Sequence, residues 1–463
     1  MSRFFLATCL TALLTTDRAA ARPNILFLLS DDQRFDTIRA LGNDEIRTPN
    51  LDRLVRDGFT FTHTFCMGST QPAVCVPSRA MLLTGRSLFH TAAVIPKEQT
   101  TLPEALRAAG YATFHSGKWH NDRPSLARGF TGAEAIFFGG MTDQFKVPIQ
   151  DFDPSGKYDP KSKKIGDKFS SVLFADAAAK FLRSHKGEQP FFLYVAFTAP
   201  HDPRTPPGDF ATMYDPVKLS LPKSFLPVHP FNNGEMTVRD EKLSPWPRTA
   251  AEVRKHTADY YGMITSLDAE VGHILQALEE SGKAKDTIIV FTSDHGLAVG
   301  RHGLFGKQNL YDHSMRPPLI FAGAGISKGK SDALCYLYDI YPTLCDLAGV
   351  RIPETVEGRS LLPIMRGKET KVRDAILLAY RDVQRAARTE DWKLIRYPQV
   401  NKSQLFDVKV DPDELRDLAD DPRQTAKLKE MMELLKVLQT KADDKQPLTV
   451  DKPAPLRIEL PPR

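Results

Sequence analysis

The chain has 463 residues, with 62 Lys and Arg against 57 Asp and Glu, for a formal net charge of +5. That balance is mild for the length and contains no dense Lys/Arg tract, which argues against a nucleic-acid binder. The composition is that of a globular protein, and the length suits one large α/β unit with an appendage.

The N-terminus places Arg3 before a short apolar run, Phe4 to Leu14, and then the small residues Ala19, Ala20 and Ala21. This charge–apolar–small order predicts a secretory signal peptide over 1–21, too short to span a bilayer. A lipoprotein anchor at Cys9 is disfavoured by Thr8 beside it and by its nearness to the start. No later stretch is long and apolar enough to cross a membrane, so an exported protein, periplasmic or extracellular, is expected. Export would remove Cys9 and leave Cys66, Cys75, Cys335 and Cys345. These could pair in an oxidising compartment, but four are too few for a disulfide scaffold. If Cys75 has another use, the remaining count is odd and at least one thiol stays free.

Four apolar runs then read as buried parallel strands: Asn24 to Asp32, Tyr111 to His120, Pro190 to Asp202 and Thr287 to Gly296. Helical patterns lie between them at Leu102–Ala109, Ser170–Ser184 and Ala251–Ser281. Strands alternating with helices predict a doubly wound, mostly parallel α/β sheet. The catalytic unit is expected over 22–374. Residues 141–170 and 203–250 have little periodicity and many Pro, Gly, Asp and Lys, and read as long loops over the active face. From about Ala375 the texture changes to short strands, an amphipathic helix and a Pro-rich tail, which predicts a small α+β subdomain over 375–463.

The polar residues sit at the same end of every strand. Asp31 and Asp32 close the first run, Lys118 and His120 the second, His201 the third, and Asp294 and His295 the fourth. Ligands of open α/β sheets bind at the carboxyl ends of the strands, so these groups converge on one cleft. Adjacent carboxylates repel unless a cation lies between them. Three of them suit a hard divalent ion, with Ca²⁺ the most tolerant of irregular geometry. His295 would add a nitrogen, which is less usual for calcium. Either acid pair alone also reads as a turn or helix cap.

"CVPSRAMLLTGR", residues 75 to 86, puts Cys75 at the mouth of a short helix that Pro77 opens and Gly85 stops. A helix mouth favours an anion. Arg79, one turn on, is placed to grip an oxyanion, and Lys118, His120, His201 and Lys307 add charge or donors. The pattern suits a tetrahedral anion beside a metal and a nucleophile.

These residues carry a resemblance. "CVPSRAMLLTGR", with "LLSDDQR", "GKWHN", "APHDPR", "FTSDHG" and "HGLFGKQNLYDHS" in order, resembles the type I, formylglycine-dependent sulfatase family of the alkaline phosphatase superfamily. "WKLIRY" and "QLFDVKVDPDE" are similar to that family's C-terminal subdomain. The resemblance implies that a formylglycine-generating or anaerobic maturase oxidises Cys75 to formylglycine. One hydroxyl of its hydrate attacks sulfur in line, and the other expels sulfate as the aldehyde reforms. It implies Asp31, Asp32, Asp294, His295 and modified Cys75 as calcium ligands. It makes Arg79 the residue that orients the diol, and Lys118 and Lys307 the sulfate-binding lysines. His120 becomes the base beside the diol and His201 a candidate general acid at the leaving oxygen.

The substrate is expected to be a sulfated carbohydrate, with aryl or choline sulfate as alternatives. Asn121 and His302 could contact it or only shape their loops. Arg204, Asp143, Gln144, Arg381, Asp382, Gln384 and Arg385 could read a sugar acid or a second sulfate, or serve as structural surface. Two other readings are a phosphonate or phosphodiester hydrolase of the same superfamily and a glycan-binding relative without turnover.

Overall fold

Residues 25 to 29 are all apolar and all buried, and they face two ways. Ile25, Phe27 and Leu29 enter one hydrophobic core, and Leu26 and Leu28 enter another. A strand whose alternate side chains both find cores must be covered on both faces. The computed structural model describes residues 22–457 and 459–461 and has that architecture; the expected signal peptide lies outside those residues.

The main sheet has eight strands, in the spatial order Gly329–Ser331, Phe59–Phe61, Leu319–Gly323, Thr287–Ser293, Asn24–Ser30, Phe191–Ala196, Ala112–Lys118 and Gly132–Phe137. All neighbours run parallel except Leu319–Gly323, which is antiparallel to both of its partners. Helices Ser170–Ser184 and Ala250–Glu280 supply the core on one face, and Cys75–Thr84, Leu102–Ala108 and Ile340–Ala348 on the other. The 31-residue helix starts at a capping box, in which the Thr249 hydroxyl accepts from the Glu252 N–H. Among the described residues no helix is long and apolar enough to cross a membrane. The four cysteines of the described chain are buried and free.

The C-terminal strands form a second sheet, ordered Lys402–Asp407, Trp392–Tyr397, Gln384–Thr389 and Ala375–Tyr380, with helix Thr425–Lys441 against it. The sequence did not announce its fifth strand. Gly68–Ser69, just before the Cys75 helix, pairs in parallel with Ala379 and Tyr380. Gly68 is required there, because its φ is +113° and a Cβ would strike the Ala379 carbonyl. The two sheets therefore share the segment that leads into Cys75.

Candidate active site

The carboxyl ends of the strands Asn24–Ser30, Ala112–Lys118, Phe191–Ala196 and Thr287–Ser293 bring the expected residues together. Asp31, Asp32, Asp294 and His295 are fully buried, and one ligand atom from each lies within 4.8 Å of the others. Asp32 is held by its backbone: its N–H donates to Asp294 Oδ1 at 3.1 Å and its carbonyl accepts from Tyr260 at 2.6 Å. Its φ of +69° turns the carboxylate into the cluster. Burial and the nearby Asp31 push the Asp294 carboxyl up to about 6. Against burial, which works the other way, Asp294 and Asp32 hold His295 up at about 9. Asp31 Oδ1 and His295 Nε2 are buried with no protein hydrogen-bond partner. Crowded carboxylates, an orphaned oxygen and an orphaned imidazole nitrogen fit a divalent cation.

Cys75 opens the helix Cys75–Thr84, which Gly85 ends in the left-handed conformation. No side chain caps its first turn. The Cys75 Sγ lies 3.3 Å from His120 Nδ1. Burial alone would raise this thiol, but Lys118, His120 and Lys307 bring it well below its ordinary value. The same field would hold any anion formed at this position. Lys118 Nζ donates to Asp31 Oδ2 and, at 2.6 Å, to the Gly140 carbonyl. Lys307 Nζ reaches both Asp32 oxygens, at 2.7 and 3.0 Å. His201 Nε2 is 3.9 Å from Asp32 Oδ2.

Arg79 divides its guanidinium. Its Nε donates to Asp294 Oδ2 at 3.0 Å, its Nη1 to the Lys118 carbonyl at 3.0 Å, and its Nη2 lies 3.6 Å from Asp31. Nε and Nη1 brace Asp294 and the Lys118 turn, while the buried Nη2 has no hydrogen-bond partner.

The residues expected to contact a sugar divide. Asn121 donates to the Val76 and Ala93 carbonyls at 3.3 and 3.2 Å, so it shapes the turn around the helix mouth. His302 donates to the Glu414 carbonyl at 3.0 Å and stacks on Tyr311, lining a separate cavity of about 450 Å³. Gln384 is buried between the Asn233 and Gln308 carbonyls, and Arg385 is buried on Asp444. Gln384 and Arg385 have their polar atoms engaged by protein, whereas Asn121 Oδ1 and His302 Nδ1 are buried without a hydrogen-bond partner. Gln144 likewise donates to the His201 carbonyl at 3.1 Å, and Asp143 caps Phe145. Asp382 accepts from Gln399. Arg204 and Arg381 are different. Arg204 is buried with Nε and Nη1 unpartnered, and Arg381 keeps 39% of its side chain exposed beside Glu235.

Sequence reasoning missed Ser78, whose hydroxyl donates to the Asp294 carbonyl at 2.6 Å, and Gly140, packed against His120. It also missed the turn Arg239–Leu243. Only the Gly pair at 139 and 140 carried a signal, since glycine marks close approach.

Strand ends that gather four metal-capable side chains and a ring of positive charges around one helix mouth define the class: a hydrolase of the alkaline phosphatase superfamily. The sulfatase family model matches residues 23–350, and the C-terminal model of N-sulphoglucosamine sulphohydrolase matches 300–441. The chain belongs to the sulfatase family and is an enzyme of that kind. It is 28% identical to an N-acetylglucosamine-6-O-sulfatase of Bacteroides thetaiotaomicron over 92% of this chain and 88% of that protein. A structure solved in complex with its substrate D-glucosamine-2-N,6-O-disulfate superposes with a TM-score of 0.77 at 24% identity, over 92% of this chain and 99% of the other. The phosphonate monoester hydrolase of Agrobacterium radiobacter superposes at 0.73 and 24% identity, over 91% and 96%.

Proposed function

We propose that this chain is an exported sulfatase that removes sulfate from a sulfated carbohydrate, using a formylglycine made from Cys75 and a bound calcium ion. The observation that carries the reading is the Cys75–His120 pair, enclosed by Lys118 and Lys307 and adjoining the four-donor cluster. The relatives named for a sulfated glucosamine support the choice of carbohydrate.

Formylglycine supplies a hydrated aldehyde whose oxygen attacks sulfur, and the cation supplies a Lewis acid for a sulfate oxygen. This chain's own groups do the rest. Asp31, Asp32, Asp294 and His295 hold the cation, and Arg79 keeps two of those acids in place. Lys118 and Lys307 exchange part of their bonding to Asp31 and Asp32 for the sulfate oxygens. His120 Nδ1, beside residue 75, takes the proton that must leave there. His201 Nε2 is placed to donate a proton to the leaving oxygen. Arg204 and Arg381 are the remaining candidates for reading a charged sugar.

Mass spectrometry of the tryptic peptide Asp57–Arg79 after thiol alkylation tests the central step. Cys66 lies in the same peptide and is the internal control. The expected result is an alkylated Cys66 and an aldehyde at residue 75 when the protein is produced with a maturase. Alkylation of both cysteines in that host overturns the reading.

A second reading, hydrolysis of a phosphonate or phosphodiester at the same centre, draws on the fold shared with the phosphonate hydrolase. Turnover of an aryl sulfate and an aryl phosphodiester by the matured protein separates the two.

A further inference from the structure

Within the loop between residues 203 and 249, the turn Arg239–Leu243 packs against the cleft. Three consecutive side chains of that turn hold both walls of the site. Arg239 forks onto Asp202, with Nη1 on Oδ1 at 2.9 Å and Nη2 on Oδ2. Asp240 accepts from Arg239 Nη1 at 2.9 Å and from Gln308 Nε2 at 2.8 Å. Glu241, fully buried on Arg248, accepts the backbone N–H groups of Phe305 and Gly306 at 3.0 and 2.8 Å. The turn is thus fastened to the strand of backbone that carries Lys307, and its outer member grips the residue next to His201.

Asp202 is the neighbour that sets the His201 ring. His201 Nδ1–H donates to the Asp202 carbonyl at 2.8 Å, and Asp202 Oδ1 lies 3.4 Å from the same nitrogen. With the Nδ1 hydrogen bond made to the Asp202 carbonyl and the carboxylate beside it, Nε2 is the nitrogen left for the cluster. Asp202 is buried and has no other cationic side chain within hydrogen-bond reach among the described residues. If the fork were lost, the Asp202 side chain would be free to turn, and the residue whose carbonyl holds the imidazole would lose its anchor. A bidentate guanidinium–carboxylate pair fixes both groups in one plane.

We propose that Arg239 and Asp202 are positioning residues for His201. They aim Nε2 at the oxygen that leaves sulfur, and Asp240 and Glu241 fix the point from which the fork acts. The proposal rests on the reading of His201 as general acid. In that step the bond from sulfur to the leaving oxygen breaks and its electron pair stays on oxygen. The Nε2 proton passes to that oxygen while the nucleophilic oxygen on residue 75 bonds to sulfur.

A misaimed acid matters only where the leaving oxygen needs a proton. An alkoxide leaves poorly without one, whereas a nitrophenolate leaves unaided. The test is kcat and KM of the matured, calcium-loaded enzyme on an alkyl or sugar sulfate and on nitrophenyl sulfate. The proteins compared are the parent and the variants Arg239→Met, Arg239→Lys, Asp202→Asn and His201→Gln, each checked for an unchanged melting transition. Arg239→Met should lose roughly 10- to 100-fold in kcat on the alkyl ester and at least ten times less on the aryl ester, with KM little changed. Arg239→Lys should recover part of the loss, and Asp202→Asn should follow Arg239→Met. Equal losses on both esters, or none, overturn the proposal. If His201→Gln discriminates between the esters and Arg239→Met does not, the positioning role alone fails. If His201→Gln does not discriminate, the general-acid reading fails and the proposal falls with it.

Discussion

A Cβ placed on Gly140 would lie 2.6 Å from His120 Nε2, so the loop and the imidazole fit only because residue 140 has no side chain. The Gly140 carbonyl also accepts from Lys118 Nζ. Gly140 thus touches both His120, the proposed base, and Lys118, a proposed sulfate-binding lysine. Gly140→Ala should displace the His120 ring by several tenths of an ångström. The expected loss in kcat is roughly 10- to 100-fold, since small misplacements of reacting groups are costly. The melting temperature should move little. Steady-state kinetics beside a thermal melt checks this, and full activity in the variant would show that His120 has room to spare.

Cys75→Ala should abolish turnover and leave the fold intact, because the side chain packs at a helix mouth rather than in the centre of either core. Cys75→Ser should fail as well unless the host carries a serine-type maturase. Sulfate release measured beside circular dichroism distinguishes loss of chemistry from loss of structure.

The acid cluster predicts a response to cations. A ligand that binds only the folded state stabilises it in proportion to the logarithm of its concentration over Kd, about 2.7 kcal/mol at a hundredfold excess. Calcium added to chelator-treated protein should therefore raise the melting temperature. Asp294→Asn removes one oxygen charge from the cluster and loosens Arg79. That variant should show no shift in the same calcium range.

Five histidines predict acid lability. Burial holds His63, His115 and His302 down at about 3, and His229 and His256 at about 4. All are neutral in the folded chain across ordinary pH, while the unfolded chain binds protons below about 6.5. The unfolded state then holds more protons, so stability falls as pH drops from about 6.5 toward 3 to 4. Each histidine contributes up to about 1.4 kcal/mol per pH unit in that window. Denaturant melts from pH 7 to 4 should show this slope, and His115→Gln should make it shallower if the variant folds.

The sheet and the centre of the site were legible because each rests on local pattern. Residues 25 to 29 are apolar without interruption, and Asp31 and Asp32 follow at once, so strand and ligand lie in one short window. The helix Ser170–Ser184 was readable for the same reason, and Ala250–Glu280 differs from the pattern by one residue at each end. What stayed hidden depends on contacts between distant segments. Nothing near Arg79 says that its Nε will pair with Asp294, 215 positions away. His302 sits in a motif that points to the cleft, yet its ring is claimed by Glu414, 112 positions on. The turn Arg239–Leu243 lies in a stretch without periodicity, where no window marks which charged residue will be buried.

The parallel pairing of Gly68–Ser69 with Ala379 and Tyr380 sets an order of events during synthesis. Residues 68 to 79 leave the ribosome about 300 residues before their edge partner does. At translation rates of 5–20 residues per second that is an interval of roughly 15–60 s. Until the late strands arrive, the Gly68–Ser69 edge that leads into Cys75 has no partner strand. In the folded chain Cys75 is buried, 3% exposed. Under the proposed maturation of Cys75, the distance along the chain between these two paired strands sets how long the segment stays unpaired, and moving the C-terminal sheet forward in a permuted chain should lower the fraction of Cys75 converted.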